Sequence, residues 1–130
     1  MAHLLIVEDD VLIARLLRTR LEHRGHTISW VADGNQALAR AVVVVPDLIL
    51  LDVTLPGMDG FALLGHLKHH PTTHDIPVLM LTAQTDGRSV IAGIDGGADA
   101  YLTKPIDFPG LVARVEACLT RRAEQARLAI

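Results

Sequence analysis

The sequence predicts an α/β domain built on a doubly wound, five-stranded parallel sheet. Three short apolar runs, Leu4-Leu5-Ile6-Val7, Leu48-Ile49-Leu50-Leu51 and Val78-Leu79-Met80-Leu81, each give way to polar residues. Runs of this length without alternation are the pattern of strands buried on both faces. Between them the apolar period changes to that of a helix, and 130 residues suit one core rather than two.

The elements follow in order. After the first strand, Ile13, Leu16, Leu17 and Leu21 form one helical stripe, which Gly25 can close. Thr27-Ile28-Ser29-Trp30-Val31 alternates polar and apolar residues and reads as an edge strand. Asp33-Gly34 starts a second helix carrying Ala37, Leu38, Ala41 and Val42, and Pro46 separates it from the third strand. Phe61, Leu64 and Leu67 mark a third helix and Val90, Ile91 and Ile94 a fourth, closed by Gly96-Gly97. A short strand at Ala100-Tyr101-Leu102 precedes a fifth helix with Leu111, Val115, Cys118 and Leu119 on one stripe. Because the first, third and fourth strands are the most apolar, the expected sheet order is 2-1-3-4-5, with ligands at the carboxyl ends of the strands.

Composition excludes several classes. A net charge of −3 argues against a nucleic-acid surface, and the local run Arg121-Arg122 to Arg127, interrupted by Glu124, reads as a solvated helix end. One cysteine, Cys118, permits no internal disulfide and suits a reducing compartment. No stretch of 18 apolar residues and no signal-peptide pattern is present, so the expected location is cytoplasmic, without membrane contact. His66, His69, His70 and His74 suggest zinc only superficially, since Pro71-Thr72-Thr73 interrupts their spacing and no cysteine is near. They read as the polar end of the third helix and its loop.

The chemistry gathers where the strands end. The first strand runs into Glu8-Asp9-Asp10 and the third into Asp52, so carboxylates cluster at one end of adjacent central strands. Like charges held close together raise one another's pKa or recruit a cation, and an all-oxygen set suits a hard divalent ion. Asp10 reads as the N-cap of the following helix. The fourth strand ends in Thr82 and the fifth leads to Lys104-Pro105, adding a hydroxyl and an ammonium to the same edge. Acids with a reaching lysine and a hydroxyl suit a transferred phosphoryl group, and a carboxylate is a competent nucleophile for it. Asp52 is the candidate, because the Pro/Gly-rich stretch Val53 to Gly60 after it can hold a carboxylate exposed.

Four ordered stretches, Ile6-Val7-Glu8-Asp9-Asp10, Asp52-Val53-Thr54-Leu55-Pro56 through Gly60, Leu81-Thr82-Ala83, and Gly97-Ala98-Asp99-Ala100-Tyr101-Leu102-Thr103-Lys104-Pro105, together resemble the response-regulator receiver family of two-component signalling. The resemblance covers the chain to about Arg122, which makes residues 1–122 a receiver domain and 123–130 a helix end or the start of a linker. It implies a flavodoxin-like (βα)5 sandwich. It also implies that Asp9 binds Mg²⁺ (or Mn²⁺) directly, Glu8 through water, and Asp52 and the Thr54 backbone carbonyl complete the protein ligands. Asp52 would be the phosphoacceptor, Lys104 would contact the phosphoryl oxygens, and the peptide before Pro105 would be cis.

Thr82 and Tyr101 would form the switch pair, turning phosphorylation into a population shift on the face made by the fourth helix, fifth strand and fifth helix. Thr54 and Gln84, two residues beyond Asp52 and Thr82, would tune phosphoryl lifetime. The expected donor is a sensor histidine kinase or phosphotransfer protein, approaching the first helix near Leu12 and Arg15. Family members that dimerise through the switch face carry two acids before the aromatic; here Asp99 is followed by Ala100, leaving a homodimer with an incomplete set, in which Asp99 and Arg114 would pair. An effector after Ile130 is the other expected partner. The resulting protein is a signalling phosphoacceptor rather than an enzyme. Two alternatives differ in class: a degenerate receiver that binds partners without phosphorylation, and a haloacid-dehalogenase-like phosphatase. The second needs an acid two residues after the nucleophile, where Thr54 stands.

Overall fold

The computed structural model describes residues 1–82 and 97–128. Strands β1 (His3–Val7), β2 (Thr27–Val31) and β3 (Leu48–Asp52) alternate with helices α1 (Val11–His23) and α2 (Gly34–Val44). A two-residue hairpin, β4 (Thr54–Leu55) and β5 (Met58–Asp59), leads into α3 (Gly60–His69). Strands β6 (Val78–Thr82) and β7 (Ala100–Thr103) precede a C-terminal helix, Phe108–Leu128. The fourth helix expected around Val90, Ile91 and Ile94, and Gln84 with it, lie outside the described residues.

The main sheet is ordered β2-β1-β3-β6-β7, and every pairing in it is parallel. With the small hairpin set aside, this is the 2-1-3-4-5 order of a flavodoxin-like fold. All five residues of β3 and of β6 are buried, which is why both lack a polar alternation. Odd and even positions divide between two layers. Leu5, Val7, Ile49, Leu51, Val78 and Met80 face Ala37, Ala41, Leu63, Leu64 and Leu67 of α2 and α3. Leu4, Ile6, Leu48, Leu50, Leu79 and Leu81 face Leu17 and Leu21 of α1 and Leu111, Val115 and Cys118 of the C-terminal helix. The strict period of two sends alternate side chains to opposite sheets of helices.

Helix starts follow the expected chemistry. Asp10 caps α1, accepting from the amides of Leu12 and Ile13, and Asp33 and Asp59 cap α2 and α3. The Pro/Gly-rich stretch after β3 is more ordered than a plain loop, since Thr54 pairs with Asp59 and Leu55 with Met58. That hairpin rests on the start of α2: a Cβ on Gly57 would meet the Asn35 side chain, and Gly57 has φ +77°. At the far end of α2, Val45 occupies the left-handed region, with φ 47° and ψ 68°.

Candidate functional site

Parallel strands end at a common edge, and the backbone ladder continues one step past it. The Val53 amide bonds Leu81 O at 2.9 Å, Lys104 N bonds Thr82 O at 2.7 Å, and Glu8 N bonds Val31 O at 3.1 Å. Glu8, Asp52, Thr82 and Lys104 are thereby held on neighbouring strand ends. Glu8, Asp52 and Thr82 are all buried.

Lys104 joins the acids. Its Nζ lies 3.0 Å from Glu8 Oε1 and 3.1 Å from Asp52 Oδ2. Burial lowers the lysine's affinity for its proton, but the bond to Glu8 and the charge of Asp52 outweigh it, leaving the pKa raised and the ammonium firmly charged. Burial, and after it the adjacent Asp52 carboxylate, pushes Glu8 up to about 8 against the opposing pull of Lys104. The second Asp52 oxygen, Oδ1, accepts from the Thr54 amide at 3.2 Å.

Glu8, Asp9 and Asp52 each place a carboxylate oxygen within 4.8 Å of the others. Glu8 Oε2 is buried and has no hydrogen-bond partner among the described residues. Ligands on opposite sides of one Mg²⁺ stand about 4 Å apart, so a small side-chain adjustment brings this oxygen set to that span, and its chemistry, all carboxylate with an orphaned acceptor and an exposed Asp9, suits a hard divalent ion. The N-cap role keeps Asp10 apart from it.

The loop after Asp52 is closely fitted. The Gly60 amide bonds Val53 O at 2.8 Å, and a Cβ at Gly60 would collide with Asp52 O and Val53. Only a glycine permits α3 to begin this near the nucleophile candidate. A cavity of about 390 Å³ beside it is lined by Val53, Thr54, Leu55, Asp59 and Phe61. A larger one, about 860 Å³, opens between α1 and the C-terminal helix at Arg20, His23 and Phe108, with none of the clustered acids in its wall.

The other expected residues fall as follows. The Lys104–Pro105 peptide is cis. Thr82 closes β6, paired in register with Thr103. Tyr101 points inward, stacked on Phe61 with ring centroids 6.5 Å apart, and its buried hydroxyl has no hydrogen-bond partner among the described residues. Asp99 is committed within the chain, accepting from Val78 N at 2.8 Å and lying 3.6 Å from Lys68 Nζ. Leu12 is exposed on α1, next to Val11 and Leu16. His69 and His70 bond local backbone, Gly65 O and Thr72 N respectively, and join no metal-competent group among the described residues. Sequence reasoning passed over Trp30, whose indole nitrogen donates to Glu8 O at 2.7 Å. The available signal was a lone tryptophan on the strand beside the acidic turn.

The chain is similar to known proteins in sequence and in fold. The family model described as "Response regulator receiver domain" matches residues 4–116. The chain is 46% identical over 121 residues to the DNA-binding dual master transcriptional regulator RpaA of Synechocystis, covering 93% of this chain and 50% of that one. It is 48% identical over 121 residues to the response regulator PleD of Caulobacter vibrioides, covering 92% of this chain and 26% of that one. It therefore spans about half of the first relative and about a quarter of the second. Among solved structures, a response regulator from Chloroflexus aurantiacus superposes with a TM-score of 0.86 at 41% identity, covering 92% of this chain and 98% of that one. A Francisella response regulator receiver domain gives 0.88 at 31% identity, covering 94% and 99%.

Proposed function

The chain belongs to the response regulator receiver family, and from that premise we propose that Asp52 accepts a phosphoryl group from the phosphohistidine of a sensor histidine kinase or phosphotransfer protein. The observation that carries this reading is Lys104, poised between Glu8 and Asp52. In the transfer, an Asp52 carboxylate oxygen attacks phosphorus, the P–N bond breaks, and the electron pair returns to the histidine ring. Lys104 follows the phosphoryl oxygens with its charge, and the Thr54 amide orients the carboxylate during attack.

Glu8, Asp9, Asp52 and the Thr54 carbonyl are the residues that would hold Mg²⁺ or Mn²⁺, with Glu8 acting through water. When bound, the ion supplies positive charge against the acids and the phosphoryl oxygens. The protein residues set the geometry: Glu8 is fixed by burial and by Lys104, while exposed Asp9 closes the set from the solvent side.

Phosphorylation would be read out by Thr82 and Tyr101. A phosphoryl oxygen beside Thr82 offers its hydroxyl a new acceptor, which biases the segment after β6 and the space around Tyr101. Tyr101 already lies against Phe61, so the switch would shift the population of an inward ring rather than create it. Thr54 and Gln84 would tune how long the phosphoryl group lasts. The protein on this reading signals without turnover, from the cytoplasm, and residues 1–122 form the receiver. The exposed Val11, Leu12 and Leu16 suit a helical partner such as the kinase. The greater length of the relatives supports an effector following the C-terminal helix as the source of the output, and the net charge of −3 supports a domain that itself makes no nucleic-acid contact. A homodimer through the fourth helix, β7 and the C-terminal helix would pair Asp99 with Arg114 while Asp99 keeps or exchanges its bonds to Val78 N and Lys68.

The test is intact-mass spectrometry after incubation with acetyl phosphate and Mg²⁺. The reading requires a gain of one phosphoryl group that disappears with a chelator. No gain with Mg²⁺ present contradicts it and leaves a phosphorylation-independent binding module.

A further inference from the structure

We infer that Trp30 is a positioning residue for the acidic pair, holding through its indole N–H the peptide unit that joins Glu8 to Asp9. The inference rests on the reading of Glu8 and Asp9 as metal ligands. Trp30 sits on the edge strand β2, in register with Ile6 of β1, two residues short of Glu8. Two residues of strand are about 6.6 Å, a gap that a long side chain can cross. The indole does so along the sheet face shared with α1, packed against the layer that contains Ile6 and Leu17, and its nitrogen reaches Glu8 O at 2.7 Å.

That carbonyl belongs to the Glu8–Asp9 peptide plane. Fixing the plane restricts ψ of Glu8 and φ of Asp9 together, the two angles that set the directions in which the two side chains leave the backbone relative to one another. The surrounding anchors leave little else to set them. Glu8 N is bonded to Val31 O, and Asp10 is fixed as the cap of α1 through Leu12 N and Ile13 N. The turn is therefore held on both sides, and Trp30 supplies the contact in between. The indole N–H is donated to the Glu8 backbone oxygen and not to a carboxylate, so its action on the acids is through the backbone.

The test uses the full chain and Mg²⁺ alone, with affinity read from amide resonances of Glu8, Asp9 and Asp10. Two forms are compared with the unmodified chain: Trp30→Phe, and one carrying benzothienylalanine at position 30, where sulfur replaces the indole N–H at nearly constant shape. The benzothienylalanine form should stay folded, with a thermal midpoint lower by only a few degrees, while Mg²⁺ affinity falls roughly fivefold, the size of one lost hydrogen bond. A packing role alone would leave that affinity unchanged, so wild-type Mg²⁺ binding in the benzothienylalanine form overturns the inference. Trp30→Phe should lose affinity by a similar factor even if its midpoint also drops. Asp9→Asn separates the two levels: if it binds Mg²⁺ as tightly as the unmodified chain, the reading of the acids fails and the inference falls with it.

Discussion

Lys104 Nζ stands 3.1 Å from Asp52 Oδ2, although the two residues are 52 positions apart in the chain. The cation is placed by the end of β7 and the anion by the end of β3, so the pair is a property of the sheet order rather than of any local motif. Removing the charge while keeping the stem should be felt mainly in phosphoryl transfer. Lys104→Met should slow phosphorylation by acetyl phosphate by about 10²-fold or more, the usual size for loss of one preorganised charge donor. Rates measured by timed mass spectrometry at saturating Mg²⁺ check this; an unchanged rate would remove Lys104 from the transfer.

Tyr101 buries a hydroxyl with no partner among the described residues while its ring stacks on Phe61. Burying an unpaired hydroxyl is unfavourable. Tyr101→Phe keeps the ring and deletes the oxygen, so the unphosphorylated protein should gain about 1 kcal/mol in urea unfolding. A loss of similar size would mean that the hydroxyl is bonded in solution.

Val45 adopts a left-handed conformation at the end of α2, where a β-branched side chain crowds its own carbonyl. About half of its surface is exposed, so little packing is lost on truncation. Val45→Gly should raise stability by about 0.5–1 kcal/mol, since relief of the strain exceeds the entropy glycine adds to the unfolded chain. The midpoint of thermal unfolding reports the sign directly.

Glu116 of the C-terminal helix bonds His26 at 3.1 Å and Arg24 at 3.3 Å. Burial alone would raise its pKa, but these two partners outweigh burial and leave it below the ordinary glutamate value of 4.5. A carboxylate lowered on folding adds stability above its unfolded pKa and loses it as pH falls through the folded one. Glu116→Gln should therefore be less stable than the unmodified protein at pH 6–7, by a difference that shrinks below about pH 4.5. A difference that stays constant across that range would show that the contact is not ionic.

Much of this was legible in the sequence because the signals were local. The unbroken apolar runs of β3 and β6 announce central strands, and Asp10 and Asp33 announce the helices they cap. The acids, Thr82 and Lys104 could be placed on one edge because parallel strands end together. What escaped was set by contacts between distant segments. Nothing local marks the pairing of Thr54 with Asp59, which depends on the hairpin resting against α2. Trp30 stood out only as one residue of an edge strand, since its partner is a backbone carbonyl just past the end of another strand. His26 and Glu116, 90 residues apart, meet only once the C-terminal helix has docked. Asp99 shows the same limit, as its bonds to Val78 N and Lys68 appear only in three dimensions.

The most direct measurement locates the phosphoryl group itself. After reaction with acetyl phosphate and Mg²⁺, borohydride reduction converts an aspartyl phosphate to homoserine, which tandem mass spectrometry assigns to a position. The account predicts homoserine at position 52 and none in Asp52→Asn. Homoserine at Asp9 or Asp59, with Asp52 intact, would contradict it.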